Sequence, residues 1–93
     1  MFKLVVLFAS GISQEVIVPS QGLTIGRTRD NDLVIDEPTV SRYHARIAIE
    51  NNQLVLYDLD STNGSFVNNK RRSQAVLKSD DIVRIGSTII KVK

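Results

Sequence analysis

Apolar residues fall at every second position along most of this chain, and no window sustains a helical period. A β-strand turns successive side chains to opposite faces, so this alternation marks strands with one face buried. In "FKLVVLF", Phe2, Leu4, Val6 and Phe8 share a face. "QEVIV" and "LTIGR" follow after short breaks. "HARIAIE" aligns Ala45, Ile47 and Ile49, "QLVLYDL" aligns Leu54 and Leu56, and "DIVRIG" and "STIIKVK" close the pattern. These runs are short and rich in Val and Ile, which suits half-buried strands. The breaks carry turn chemistry. Asn51-Asn52 and Asn68-Asn69 sit where a tight hairpin needs positive φ, which asparagine tolerates better than other non-glycine residues. Asn63-Gly64 and the "PSQG" stretch from Pro19 to Gly22 mark further turns. Many short strands at close spacing predict an all-β sandwich.

The length of 93 residues predicts one domain, 1–93, around a single thin core. The chain has no cysteine. That removes disulfides, thiolate metal sites and cysteine nucleophiles together, and it fits a reducing, cytoplasmic setting. The apolar run from Leu4 to Ala9 is shorter than a secretory h-region, so it reads as a strand. No stretch reaches the ~18 apolar residues of a membrane helix, and no membrane partner is expected. A net charge of +2 is too mild to argue for nucleic acid.

Two longer stretches escape the alternation. One is "RTRDNDLVIDEPTVSR", Arg27 to Arg42, broken by a brief apolar "LVI"; the other is "DLDSTNGS", Asp58 to Ser65. Long loops on a rigid sandwich are common sites of function. These loops and the strand starting beside them hold Arg27, Arg29, Ser41, Arg42, Arg46, Ser61, Thr62 and Asn63. Guanidinium forks bind phosphate through paired, charge-assisted hydrogen bonds. Hydroxyls and turn amides add neutral donors, and an asparagine amide offers the donor and acceptor that a peptide main chain requires. On residue types alone, two readings stand: a site for a phosphate carried on a peptide, and a solvated basic face.

Gly26-Arg27, then Ser41-Arg42-Tyr43-His44, then Ser61-Thr62-Asn63-Gly64 resemble, in order and at close spacing, the signature of the forkhead-associated (FHA) family. The resemblance runs through "LTIGR", "NDLVIDEPTVSRYHARI", "LYDLDSTNGSFVNN" and "LKSDDIVRIG", nearly the whole chain. It implies an antiparallel sandwich of about eleven strands whose loops at one end bind phosphothreonine peptides. By that resemblance Arg27 and Ser41 contact the phosphate directly, and Arg42 and Thr62 add donors. Asn63 holds the peptide main chain, while Gly26, His44 and Gly64 shape the loops. Three departures stand out: Ser65 where threonine is common, and Asn69 and Asp80 where glycine is common. Asn and Asp both reach left-handed backbone conformations, so the two turns are expected to survive.

Ser41 with His44 suggests a nucleophile and a base, but the chain offers no evident third orienting group or oxyanion site. A single histidine without cysteine makes a poor zinc site. No catalytic residue, metal or cofactor is therefore expected. The basic run "NKRR" reads as a hairpin tip or a charged guard on an edge, because three charges without interleaved aromatics argue only weakly for a nucleic-acid surface. The resulting expectation is a non-catalytic module that recognises phosphothreonine on a Ser/Thr kinase or its substrate. By the same resemblance, Thr39 and Tyr43 are the candidates for reading the residues a few positions C-terminal to it. The rival is a phosphate-independent interaction domain on the same fold.

Overall fold

A computed structural model describes residues 1–93. Eleven strands and no helix make up the fold: β1 (Lys3–Leu7), β2 (Ser13–Ile17), β3 (Leu23–Gly26), β4 (Leu33–Val34), β5 (Ala45–Glu50), β6 (Gln53–Asp58), β7 (Phe66–Val67), β8 (Lys70–Arg71), β9 (Gln74–Leu77), β10 (Ile82–Ile85) and β11 (Thr88–Val92). One sheet runs β2-β1-β11-β10-β7-β8 and the other β4-β3-β5-β6-β9. Every pairing is antiparallel except that of β3 with β4. The brief "LVI" inside the long Arg27–Arg42 stretch is thus a short parallel strand, with Ile25 opposite Leu33.

The alternation maps onto the sandwich as read. Leu4, Val6, Ile25, Ile47, Leu54, Leu56, Ile85 and Ile90 are fully or almost fully buried between the sheets, and Phe2, Phe8 and Ile49 pack against them. Burying one such side chain contributes roughly 1.5–3 kcal/mol, so the apolar faces carry most of what holds the two sheets together.

Asparagine closes two of the hairpins. Asn51 and Asn52 have φ of 52° and 61°, and Asn68 and Asn69 have 49° and 70°. Glu50 pairs with Gln53 and Val67 with Lys70, so both are two-residue loops with positive φ at both central positions. Asp80 adopts φ 72° before β10. The departures at Asn69 and Asp80 therefore occupy the left-handed region that glycine would otherwise fill.

Candidate functional site

Strand pairing gathers the loops. Ile25 near the end of β3 lies opposite Ala45 at the start of β5, and Ala45 lies opposite Asp58 at the end of β6. Arg27, the Ser41–His44 segment and the Ser61–Gly64 turn consequently meet at one end of one sheet. The β10–β11 hairpin joins them: a Cβ on Gly86 would lie 2.8 Å from Val40 and 3.0 Å from the Thr39 hydroxyl.

His44 is at the centre of this end and is completely buried. Its Nδ1 accepts the Ser41 N–H at 3.0 Å. That nitrogen carries no proton, so Nε2 does, and Nε2 donates to the Gly64 carbonyl at 2.9 Å. One neutral ring ties two loops whose bonded residues are 23 positions apart, from Ser41 to Gly64. The Ser41 hydroxyl is not bonded to this ring. It accepts the Thr62 N–H at 3.1 Å instead, which leaves its own proton free to donate outward. Both imidazole nitrogens are engaged by backbone, so the Ser41–His44 pair lacks the geometry of a nucleophile and its base.

Asp58 organises the second loop. Its carboxylate accepts the Ser61 N–H at 2.9 Å, the Ser61 hydroxyl at 2.6 Å and the Ser65 hydroxyl at 2.7 Å. Burial pushes its pKa up, but the bonds from Ser61 and Ser65 outweigh burial and hold it below the ordinary value. The Ser61 oxygen in turn accepts the Gly64 N–H at 3.0 Å. Ser61, grouped by sequence with the polar loop crown, is buried in this network. Ser65 is buried too, and serine keeps the hydroxyl that its donation to Asp58 requires.

A close backbone approach explains Gly26, and a positive φ explains Gly64. A Cβ on Gly26 would stand 2.2 Å from the Arg42 carbonyl, closer than any side chain permits. That carbonyl also accepts the Asn31 amide at 2.8 Å and the Thr28 hydroxyl at 3.2 Å. Gly64 has φ +87°, and a Cβ there would meet the Arg71 side chain at 2.5 Å.

The outer groups are arranged differently. Arg27 donates its main-chain N–H to the Ser41 carbonyl at 3.1 Å and its Nε to the Val40 carbonyl at 2.9 Å. Its two terminal nitrogens have no protein partner, so the guanidinium is held at its base and open at its tip. The Arg42 side chain is exposed, as is Arg29, and none of these three arginines joins an ion pair. Asn63 donates its amide N–H to the Thr39 carbonyl at 2.8 Å, which leaves its amide oxygen unengaged. Thr62 is exposed, with its main-chain N–H bonded to Ser41. Tyr43 is 53% exposed and bonds to Asp30, whose pKa the Thr28 and Tyr43 hydroxyls lower. Beyond Asn63 a groove of about 230 Å³ opens between Thr39, Phe66, Arg84, Gly86 and Ser87.

Three supports are invisible to the motif reading. Asn31 is 6% exposed and fixes the Arg42 carbonyl. Asp58 fixes the Ser61 turn. Glu37 accepts the Ser87 N–H at 2.8 Å and the Thr88 hydroxyl at 2.6 Å, pinning the β10–β11 hairpin to the first loop. Burial would raise the Glu37 pKa, but the Thr88 and Ser87 bonds win and lower it. The spacing of Asp58 and Ser61 was the one available signal, since aspartate three residues before serine favours a side-chain-bonded turn.

A β-sandwich that fixes a cluster of open guanidinium, hydroxyl and amide groups at one end of its sheets has the form of an interaction module. A model of the FHA domain matches residues 23–86, and the chain belongs to the FHA family. An FHA domain solved in a structural and functional analysis of phosphothreonine-dependent FHA domain interactions superposes with a TM-score of 0.84 at 30% identity, covering 99% of this chain and 94% of that one. The glycogen accumulation regulator GarA of Mycobacterium tuberculosis is 44% identical over 61 residues, covering 66% of this chain and 38% of GarA. An oxoglutarate dehydrogenase inhibitor of Corynebacterium efficiens is 38% identical over 63 residues, covering 68% of this chain and 44% of the inhibitor. The matched segment thus spans less than half of either relative. The FhaA FHA domain, solved in complex with the intracellular domain of Rv3910, superposes with a TM-score of 0.89 at 30% identity over 100% of both chains. EmbR of Mycobacterium tuberculosis, solved with a low affinity phosphopeptide, gives 0.83 at 33% identity, covering 98% of this chain and 24% of EmbR. No helix here is long and apolar enough to cross a membrane.

Proposed function

We propose that this chain is a non-catalytic, cytoplasmic phosphothreonine-peptide-binding domain that brings a phosphorylated Ser/Thr kinase, or a substrate of one, to its partner. The observation that carries this reading is Arg27. Its Nε is anchored on the Val40 carbonyl while both terminal nitrogens stay open. A guanidinium held this way presents the two-pronged donor face that a phosphate accepts. The Ser41 hydroxyl proton lies in the adjoining loop, and the exposed Arg42 and Thr62 side chains add further donors. The unengaged oxygen of Asn63 suits an N–H of the peptide main chain.

Titration of one peptide in phosphothreonine and unphosphorylated forms tests the reading. Binding of the phosphothreonine form alone is expected. Equal binding of both would overturn it and establish a phosphate-independent interaction domain.

A further inference from the structure

We infer that the groove beyond Asn63 selects an acidic side chain on the bound peptide, with Arg84 as the specificity-determining residue. This rests on the peptide-binding reading above, because it takes Asn63 as the residue over which the main chain passes. Asn63 and Thr39 wall both the phosphate end and the groove, so a chain leaving the phosphate over Asn63 enters it.

Arg84 lies directly across from Phe66 in the β7–β10 pairing, with its guanidinium carbon 4.3 Å from the ring centroid. Stacking holds the fork flat and in place. Its only hydrogen bond is a long one, 3.5 Å, from Nη1 to the Gly86 carbonyl. On the other side of Phe66 stands Arg71, its partner in the β7–β8 pairing. Directly paired residues project to the same face of a sheet, and the Arg71 side chain packs against Gly64, another wall of the groove. Arg84 and Arg71 therefore stand on the two strands either side of Phe66, and neither joins an ion pair. Glu37 approaches the Gly86 wall, but its two oxygens are engaged by Ser87 and Thr88.

Stacking alone does not account for this. Arg46 also stacks, 5.3 Å from the Tyr57 centroid, but there the tyrosine hydroxyl bonds to Glu50 at 2.6 Å, so a carboxylate accompanies the cation. Around Phe66 no carboxylate pairs with either arginine. A half-buried guanidinium with its fork open to a groove matches a carboxylate, which it can grip with two parallel bonds.

The test is a set of phosphothreonine peptides in which Glu or Gln is placed at one flanking position at a time. At one position on one side, Glu should bind about tenfold tighter than Gln, as a hydrogen bond to a charged group provides. Arg84→Met should bring that ratio close to one. Melting of the variant is measured first; if it is unfolded, Arg84→Lys decides, since it keeps the charge and loses the fork, and the ratio should fall without vanishing. A Glu/Gln ratio of one at every position overturns the inference, as does an unchanged ratio in the variant. If phosphothreonine peptides bind without acidic preference, only this inference fails. If they do not bind at all, the peptide-binding reading falls with it.

Discussion

The polar side chains at the loop end of the sandwich divide by where their hydrogen bonds go. The inner group is His44, Asp58, Ser61 and Ser65. Its members bond to one another's loops and lie buried or partly buried. The outer group is Arg27, Arg42 and Asn63, each exposed and each with some hydrogen-bonding capacity left over. Arg27 and His44 show the contrast best, because they flank the same end of two paired strands, Arg27 just after β3 and His44 just before β5. The ring of His44 has both nitrogens committed to backbone. The fork of Arg27 has one nitrogen committed and two open. Satisfied buried groups specify a shape, whereas open charged groups at a rim await a partner. On the proposed reading, folding and recognition are thus assigned to different side chains, and substitution can separate them.

The largest separation is expected at the rim. Arg27→Ala should weaken phosphothreonine-peptide binding by about 2–5 kcal/mol, measured by calorimetric titration. Its melting temperature should move little, since surface substitutions usually stay within about 0.5 kcal/mol. A large loss of stability in this variant would erase the distinction between the two groups.

The inner group should respond in the opposite sense. His44→Ala strips the partners from the Ser41 N–H and the Gly64 carbonyl and leaves a cavity in a fully buried site. Each unsatisfied buried group costs about 1–3 kcal/mol. Urea unfolding should therefore show a loss of roughly 3 kcal/mol, with binding reduced only as the loops loosen. Unchanged unfolding with abolished binding would move His44 into the outer group.

A smaller effect concerns the ligand. Matched phosphothreonine and phosphoserine peptides differ by one methyl group. If the fixed loops form a snug spot for it, the difference is about 1–3 kcal/mol. Equal titration curves would mean that the rim grips the phosphate without shaping the residue that bears it.

The smallest effect is the dependence of stability on acid. The Asp58 pKa in the folded chain lies below its ordinary 3.8, because the Ser61 and Ser65 bonds outweigh burial. Well above 3.8 the carboxylate is ionised in both folded and unfolded chains, and its contribution is complete. As pH falls below that value the unfolded chain takes up the proton first, and the contribution is lost on the way down to the folded pKa. Asp58→Asn should flatten the decline of unfolding free energy in that window. A decline as steep as that of the parent would assign the acid sensitivity to Asp30, Glu37 and Asp81, whose pKa values are lowered too.

Much of this is legible in the sequence. Period-two alternation survives in "HARIAIE" and "QLVLYDL" because the pleat itself imposes it, and paired asparagines mark hairpins because few residues accept positive φ. The same one-dimensional view hides anything set by register between distant strands. Phe66 meets Arg84 across 18 positions, and nothing local in "SFVNN" or "IVRIG" announces that stack. Asn31 lies in "RDND", which reads as an exposed polar turn, yet its partner is a carbonyl 11 positions further on. Asp58 reads as the start of a loop, whereas it is the last residue of β6 and the acceptor that builds the turn after it.

The ring of His44 also has a kinetic consequence. The chain surrenders the conformational freedom of both loops when it folds, because a single imidazole spans them. A ligand then meets a surface with little left to order, and association is limited by encounter and orientation more than by loop closure. On the proposed phosphopeptide reading, the unpaired charge on Arg27, Arg29 and Arg42 would steer anionic ligands toward that encounter, and added salt would screen the steering. The rate of capture should therefore fall with ionic strength, while the lifetime of the complex is set by the short-range bonds made once the phosphate is seated.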